Sequence, residues 1–429
     1  MYDNIRKRDD VGIGPNIYGV QVTMKTYYID FQNGNDAFDG LSPETAWQSQ
    51  HPELLQPGDT VLFKRGSFFR GVLQNPSGLP GQPITYGAYG EGENPVFCGS
   101  LDVSDPAVWE CVGDNLWKCN ADNLDEVGNF IFADGTCGTL RWEQKDLKEQ
   151  GDWFDNGFGR ANWCLETLPD HAVLMYSEKN PGEFYSGIEC CTLTHRQYAN
   201  CGHDMNFYDL TFQNCAIHAI AGIEGGRNLH VKNCKFFRIG GAVWKVELRI
   251  RFGNAFECWN VCENVLVEDC LFDDIYDSAV THQGGDDCQS ANGFYIRNNI
   301  FRRCGMGAYE QRDVLPQKAF FINNVCEEAG EGFSKLGVVM PRNSEIWPEP
   351  MGHHVFLWRI PTATGNEQFE IRDNIFRDAP YGAAIFSVNG LEADKATTIS
   401  GNRYEMERKT LLNRFCGVDY PDLDAWNNR

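Results

Sequence analysis

Three acids stand in short strand-like tails: Glu257 in GNAFECW (253–259), Asp277 in DSAVTHQG (277–284) and Glu310 in MGAYEQR (306–312). Two carboxyl groups flanking a glycosidic bond can cleave it, one protonated to donate to the leaving oxygen, the other ionised to activate water or attack carbon. Strand side chains alternate between faces, so Glu257 and Trp259, Thr281 and Gln283, and Glu310 and Arg312 share one face. Phe256 and Cys258, Val280 and His282, and Tyr309 and Gln311 share the other. The first set is mostly polar and reads as the outer face, with Lys335 following in EGFSK (331–335). Rungs of a parallel sheet lie about 4.8 Å apart, so two rungs separate backbones by about 9.6 Å. A carboxyl separation of about 6.5–9.5 Å suits inversion and about 5–5.5 Å suits retention. The expectation is inversion, with Glu257 and Glu310 as the two carboxyl groups. Pairing of Asp277 with Glu310 on neighbouring rungs would favour retention, and that choice stays open.

The elements that must position these acids are visible as a repeat. LTFQNCAI (210–217), LHVKNCKF (229–236), VLVEDCLF (265–272), FYIRNNIF (294–301), FFINNVCE (320–327), FEIRDNIF (369–376) and TTISGNRY (397–404) share one pattern. Alternating β-branched and aromatic residues lead into a polar turn and then a second short strand. The turn position is taken by Cys215, Cys234, Cys270, Asn299, Asn324, Asn374 and Asn402. Units of this size cannot bury their own apolar side and must stack. Strands stacked along one axis form a parallel β-helix, in which an inward Asn can bond the coils above and below while Cys fills the slot as a small apolar group. A β-propeller needs longer and more regular units. The expected fold is therefore all-β, a right-handed parallel β-helix (a pectate-lyase-like solenoid) carrying an inserted antiparallel β-sandwich.

Residues 1–23 read as an N-terminal extension, 24–103 as the first coils, 104–197 as the inserted sandwich and 198–429 as the main β-helix bearing the active face. The insertion is inferred because the repeat disappears there in favour of hairpin-like passages such as NFIFADGTCGTLRW. The opening YYIDFQNGNDAFDGLSP, the PGDTVLFKRG strand, the VWECVGDNLWKC passage and the later coils together resemble right-handed parallel β-helix carbohydrate-active enzymes. Closest in layout are β-helix glycoside hydrolases of the β-xylosidase and α-fucosidase type with an intercalated sandwich. The resemblance implies that Glu310 takes the place of the family's acid/base glutamate. Where the family has an acidic nucleophile one rung earlier, this chain has Thr281, which speaks against a retaining mechanism.

Substrate contacts are expected from Trp259, Thr281, His282, Gln283, Gln311, Arg312, Lys335, His353, His354, Trp358 and Arg359. Long insertions at 240–254 and 336–360 would wall a groove, and Trp244, Trp259, Trp347 and Trp358 are candidate stacking surfaces for a sugar ring. Adjacent His353 and His354 point apart on a strand, which argues against a two-histidine metal site; Asp286 and Asp287 are too sparse a set for calcium. No metal or cofactor is expected. The net charge of −23 disfavours nucleic acid and anionic membranes, and no apolar stretch approaches the roughly 18 residues of a membrane helix. Seventeen cysteines, an odd number set inside strand-like phrases, read as reduced buried thiols. With no signal-peptide core at the start, the expected location is cytoplasmic. An oligosaccharide or polysaccharide is the expected partner, with a homo-oligomer one way to protect the solenoid ends. The leading expectation is a glycoside hydrolase. The rivals are a uronate lyase or epimerase using Arg312, Lys335, Arg249 or Arg251, and a non-catalytic glycan-binding β-helix.

Overall fold

The computed structural model describes residues 23–158, 170–193, 197–222, 225–284, 291–313, 317–333, 351–360, 367–389 and 394–429. The chain winds as a three-faced parallel β-helix. The first face is a ten-stranded sheet from Thr26–Ile29 to Thr397–Ser400, and the second a nine-stranded sheet from Phe68–Arg70 to Arg403–Lys409. The third is a nine-stranded sheet from Gln197–Asn200 to Val418–Tyr420. Neighbouring strands on each face are parallel until the last hairpin, where Asn413–Phe415 meets Val418–Tyr420 antiparallel. The helix Leu423–Asn427 follows, and its Trp426 packs into the end of the core.

Two neighbouring residues form each corner between the first and second faces, with different tasks. Asp209, Asn233, Asp269, Asn298, Asn323 and Asp373 hold φ between 52° and 59°. Asn and Asp tolerate this left-handed conformation better than other side chains with a Cβ. The next residue points inward, and in the later coils it is Asn. The Asn324 Oδ1 accepts the Asn299 N–H at 3.0 Å, while its Nδ2 donates to the Ile296 carbonyl at 3.0 Å. Asn374 does the same for the Asn324 N–H at 2.9 Å, and Asn402 for the Asn374 N–H at 2.9 Å. Amides thus satisfy backbone groups that the corner would otherwise bury without partners. Beside this ladder runs a column of rings, Phe97, Phe212, Phe236, Phe272 and Phe301, with Phe236 and Phe272 parallel to within 1° at 4.7 Å.

The first member of the inward column differs from expectation. Thr211 pairs with Lys235, which puts Leu210 in the slot that Cys234 and Cys270 occupy above it; Cys215 pairs instead with Ile239. The cause is a second corner of the same chemistry. Asn214, between the second and third faces, is also left-handed at φ 59°, so one Asn-Cys dipeptide serves two different corners. The described cysteines are free thiols, most of them buried.

Large insertions gather at this second corner. After Val96–Cys98 comes a separate body of two sheets, one of five strands within Trp109–Tyr176, the other made of Ser100–Asp102, Ile188–Thr192 and Val127–Phe132. Trp109, Phe130, Trp153 and Met175 share its core. Val127–Phe132 is buried along its whole length because Phe130 faces that core while Ile131 meets Ala216 and Ile217 of the solenoid. Gly128 permits the approach, since a Cβ there would lie 2.8 Å from that of Ala216. Two coils later, at the same corner, the hairpin Ala242–Lys245 and Ile250–Phe252 leaves the solenoid. Its buried Arg251 donates from Nε to the Gly241 carbonyl at 2.6 Å and from Nη2 to the Gly128 carbonyl at 2.8 Å, with its guanidinium 4.6 Å from the Tyr276 ring.

Candidate active site

The third face carries the acids. Its register aligns Ala221, Glu257, Thr281, Glu310, Phe356 and Phe386 in one outward column. Glu257 and Glu310 therefore stand two rungs apart with the Thr281 hydroxyl between them. The neighbouring outward column reads Trp259, Gln283, Arg312 and Trp358. A third contains Ser278 opposite Gly307, with the Ser278 N–H bonded to Asn254 Oδ1 at 3.1 Å.

This outward face is not a solvated surface. Tyr276, Met306, Met351, Phe356, Trp358 and Phe386 form an apolar cluster outside the sheet, joined by Ile250 of the hairpin. Glu310 is only 1% exposed. The Trp358 indole N–H donates to its Oε1 at 2.8 Å, and the Thr281 hydroxyl donates to its Oε2 at 3.3 Å. Ser278 Oγ lies 3.5 Å from Oε2, and Arg312 Nη1 lies 3.6 Å from Oε1. The Arg312 guanidinium lies over the Trp358 ring at 5.2 Å, and Arg359 approaches that ring at 5.5 Å while pairing with Asp313 at 2.8 Å.

Glu257 is 6% exposed. His218 Nδ1 stands 3.0 Å from its Oε2, and Asn254 Nδ2 donates to the same oxygen at 2.8 Å. Burial by itself would push this carboxyl up, but the charge and hydrogen bond of His218, the Asn254 amide and the Arg312 charge outweigh it and hold Glu257 below its ordinary value. Asp277 sits in the turn before Ser278, buried, its N–H on the Gly253 carbonyl. It belongs to neither glutamate's column.

The other expected contacts divide by parity. Trp259 and Gln283 lie outward beside the acids, Trp259 half-buried and Gln283 buried. His282 and Gln311 lie on the inward face that alternation gave them, so the expectation that they contact substrate is corrected. They alternate inward with Cys258 and Leu357, Tyr309 Oη–H donates to Gln311 Oε1 at 2.6 Å, and His282 Nε2 meets the Asn260 carbonyl at 3.1 Å. Burial lowers the His282 pKa to about 4, against the pull of the Asn260 carbonyl, so the ring is a neutral core group. His354 is likewise interior, stacked on Phe376 at 5.5 Å with Nε2 on the Arg377 carbonyl at 3.0 Å. His353 faces outward but is buried, its ring 4.1 Å from that of Phe386 and its Nδ1 accepting the Ala383 N–H at 3.0 Å. Neither histidine is open to a substrate. Trp244, at 45% exposed, lies on the hairpin under Lys245 rather than against the acids. Lys335, Trp347, Asp286 and Asp287 lie outside the described residues. Sequence reasoning missed His218, Asn254 and Ser278. The signal was present, because IHAIAG (217–222) places His218 before Ala-Ile as GNAFECW places Asn254 before Ala-Phe.

No protein-family model matches the chain, and no curated protein matches it in sequence. Solved structures are similar to it in fold. A structure described as the complex of XylC with xylose aligns at a TM-score of 0.49 and 13% identity, covering 88% of this chain and 64% of that one. A GH136 lacto-N-biosidase from Eubacterium ramulus aligns at 0.45 and 14%, covering 91% and 57%. A rhamnogalacturonan lyase aligns at 0.35 and 11%, covering 85% and 73%. This chain thus spans less than two thirds of the length of the first two. These neighbours are carbohydrate-active enzymes of two kinds, hydrolases and a lyase. The β-helix itself is established by the sheets described above.

Proposed function

We propose that the chain is a glycoside hydrolase in which Glu310 protonates the leaving oxygen and Glu257 activates water. The observation that carries this reading is the shared column. Two buried carboxyl groups rise from the same register, two rungs and therefore about 9.6 Å apart at the backbone, near the spacing that leaves room for a water in an inverting reaction. Glu257, held below its ordinary value, suits the base. Glu310 would transfer its proton to the glycosidic oxygen as that oxygen's bond to the anomeric carbon breaks. A water attacking the opposite face of that carbon would lose its proton to Glu257, giving a reducing sugar and a free hydroxyl. The dry surroundings strengthen each electrostatic contact. A substrate needs access to groups this buried, and residues 285–290 and 334–350 lie outside the described residues.

A panel of 4-nitrophenyl glycosides, neutral oligosaccharides and uronate polymers tests the proposal. Release of reducing sugar without new ultraviolet absorbance supports hydrolysis; an unsaturated product absorbing in the ultraviolet would replace it with a lyase reaction. Glu310→Gln should lower kcat/KM about 10²–10⁴-fold, the usual worth of a general acid, and wild-type rates would remove Glu310 from the chemistry.

A further inference from the structure

On the middle rung of the third face, alternation along the strand Ser278–Gln283 puts Gln283 on the same outward side as Thr281. Thr281 stands between Glu257 and Glu310, and Gln283 stands between Trp259 and Arg312 in the neighbouring column. Two residues of a strand span about 6.6 Å, so a sugar whose anomeric carbon sits over Thr281 reaches Gln283 with the hydroxyls at the far edge of its ring. The backbone there is fixed, because the strand is paired on both sides and the Gln283 carbonyl accepts the Asn260 N–H at 2.8 Å.

The side chain is less well provided for. Gln283 is 4% exposed, yet among the described residues its Oε1 meets no hydrogen-bond donor. An amide oxygen buried in this way is costly until a donor reaches it. The donors around it are turned elsewhere. The Thr281 hydroxyl donates to Glu310 Oε2 at 3.3 Å. Arg312 lies 3.6 Å from Glu310 Oε1 and 3.5 Å from Asp313 Oδ2, with its guanidinium over the Trp358 ring, and Arg359 pairs with Asp313 at 2.8 Å. A sugar hydroxyl can supply the hydrogen that Oε1 lacks, whereas the carboxylate of a uronic acid has none to give. That carboxylate would also bring negative charge to a buried face where both arginines already lie against carboxyl groups of this chain.

We propose that Gln283 is a specificity-determining residue of this site: its Oε1 accepts a ring hydroxyl of the sugar bound over Thr281, and so selects a neutral, hydroxyl-bearing sugar over a uronic acid. This rests on the hydrolase reading above and names its substrate class.

The test uses 4-nitrophenyl glycosides of neutral hexoses and pentoses, the uronides that match the hexosides, and the monodeoxy analogues of whichever glycoside the wild type cleaves fastest. The wild type should cleave each neutral hexoside faster than its uronide. Removal of one particular hydroxyl should lower kcat/KM about 5- to 150-fold, the effect of leaving a buried acceptor bare. Gln283→Met, of similar length but without the amide, should cleave the parent and that one deoxy analogue alike while keeping its discrimination at the other hydroxyls. A merely structural role would lower both rates together and leave their ratio in place, which overturns the proposal. If the variant does not fold, the wild type decides: a uronide cleaved faster than its neutral counterpart, or no single hydroxyl worth about fivefold, overturns it too. Calorimetric binding of the corresponding thioglycosides, which resist cleavage, separates the inference from the hydrolase reading. Discrimination at one hydroxyl that is lost in Gln283→Met, with no glycoside cleaved, would remove the hydrolysis and keep the contact; cleavage with an unchanged ratio would do the reverse. A wild type that neither cleaves nor binds any of these sugars overturns both.

Discussion

Replacing Asn324 by Ala should cost the solenoid more than a single buried side chain usually does. The Asn324 amide makes four contacts in a site with no exposure: it accepts from Asn299 N at 3.0 Å and Asn299 Nδ2 at 3.1 Å, and donates to the Ile296 carbonyl at 3.0 Å and Asn374 Oδ1 at 3.1 Å. Alanine withdraws the partner from two buried backbone groups, each costing about 1–3 kcal/mol when left unsatisfied, and removes two amide contacts worth about 1 kcal/mol each. A water entering the vacated space would recover part of this. The expected loss is at least about 3 kcal/mol, a large share of the roughly 5–15 kcal/mol that holds a domain folded. Asn402 provides the control. It makes the same contacts at the end of the ladder, to the Asn374 N–H at 2.9 Å and the Ile371 carbonyl at 2.8 Å, but is half-buried, so water can replace its amide. Urea unfolding of both variants, with amide exchange at Asn299 as a local reporter, tests the argument. A loss below about 1 kcal/mol for Asn324→Ala, or a larger loss for Asn402→Ala, would refute it.

Trp358→Phe keeps an aromatic ring but removes the indole N–H that Glu310 accepts at 2.8 Å. A hydrogen bond to a neutral acid is worth about 0.5–1.5 kcal/mol, so kcat/KM should fall by about two- to tenfold in a folded protein, and an unchanged rate would separate Trp358 from the acid. On the first face, burial raises the Glu268 carboxyl but Arg297, His230 and Lys232 together lower it to about 2 from 4.5. Its pKa is depressed on folding, so its stabilisation is present above about pH 4.5 and is lost as the pH falls towards 2. With Arg297 and Lys232 half-exposed and screened, that contribution is about 1–2 kcal/mol. The stability gap between wild type and Glu268→Gln should close across this window, and a gap that stays constant with pH would show that the ion cluster is not its source.

The parts of the fold legible in the sequence are those where one conformation admits few residue types. The corner between the first and second faces needs a left-handed residue followed by an inward donor and acceptor, so Asn-Asn and Asp-Asn recur in the later coils, from Asn298-Asn299 to Asp373-Asn374. Legibility failed where two corners use the same chemistry, as Asn214-Cys215 did. For the site, the tails disclosed the glutamate column because alternation within a strand and pairing between strands leave little freedom. Alternation gave His282 and Gln311 the inward parity, but the tails did not show that such polar side chains are used up inside the coil. His282, Gln311 and His354 satisfy one another or backbone carbonyls inside the coil, and nothing in the local pattern shows that a partner waits on another coil. Nor did a tail without acids, IHAIAG, draw notice to His218. The burial of the whole outward face was also hidden, since it arises from the hairpin and from residues such as Tyr276, Met306 and Met351, which come from different coils.

Stacking explains how such distant residues hold a fixed separation. Glu257 and Glu310 are joined by a stretch of chain that visits all three faces twice, and the 285–290 segment within it lies outside the described residues. Their spacing does not depend on that path. The strands Phe256–Trp259, Ser278–Gln283 and Gly307–Arg312 are each paired on both sides, so moving one glutamate relative to the other would break ladders on two coils. Loops at the corners can therefore change length while the column keeps its rung spacing. In the proposed reaction, Thr281 sets which pair of rungs takes part. An acid in its place would stand about 4.8 Å from each neighbour, the close approach that goes with a nucleophile. A threonine there leaves the next acid two rungs away and gives Glu310 a neutral hydroxyl donor at 3.3 Å. On the proposed reading, this one small side chain keeps the two carboxyl groups two rungs apart and withholds the closer partner that a covalent route would need.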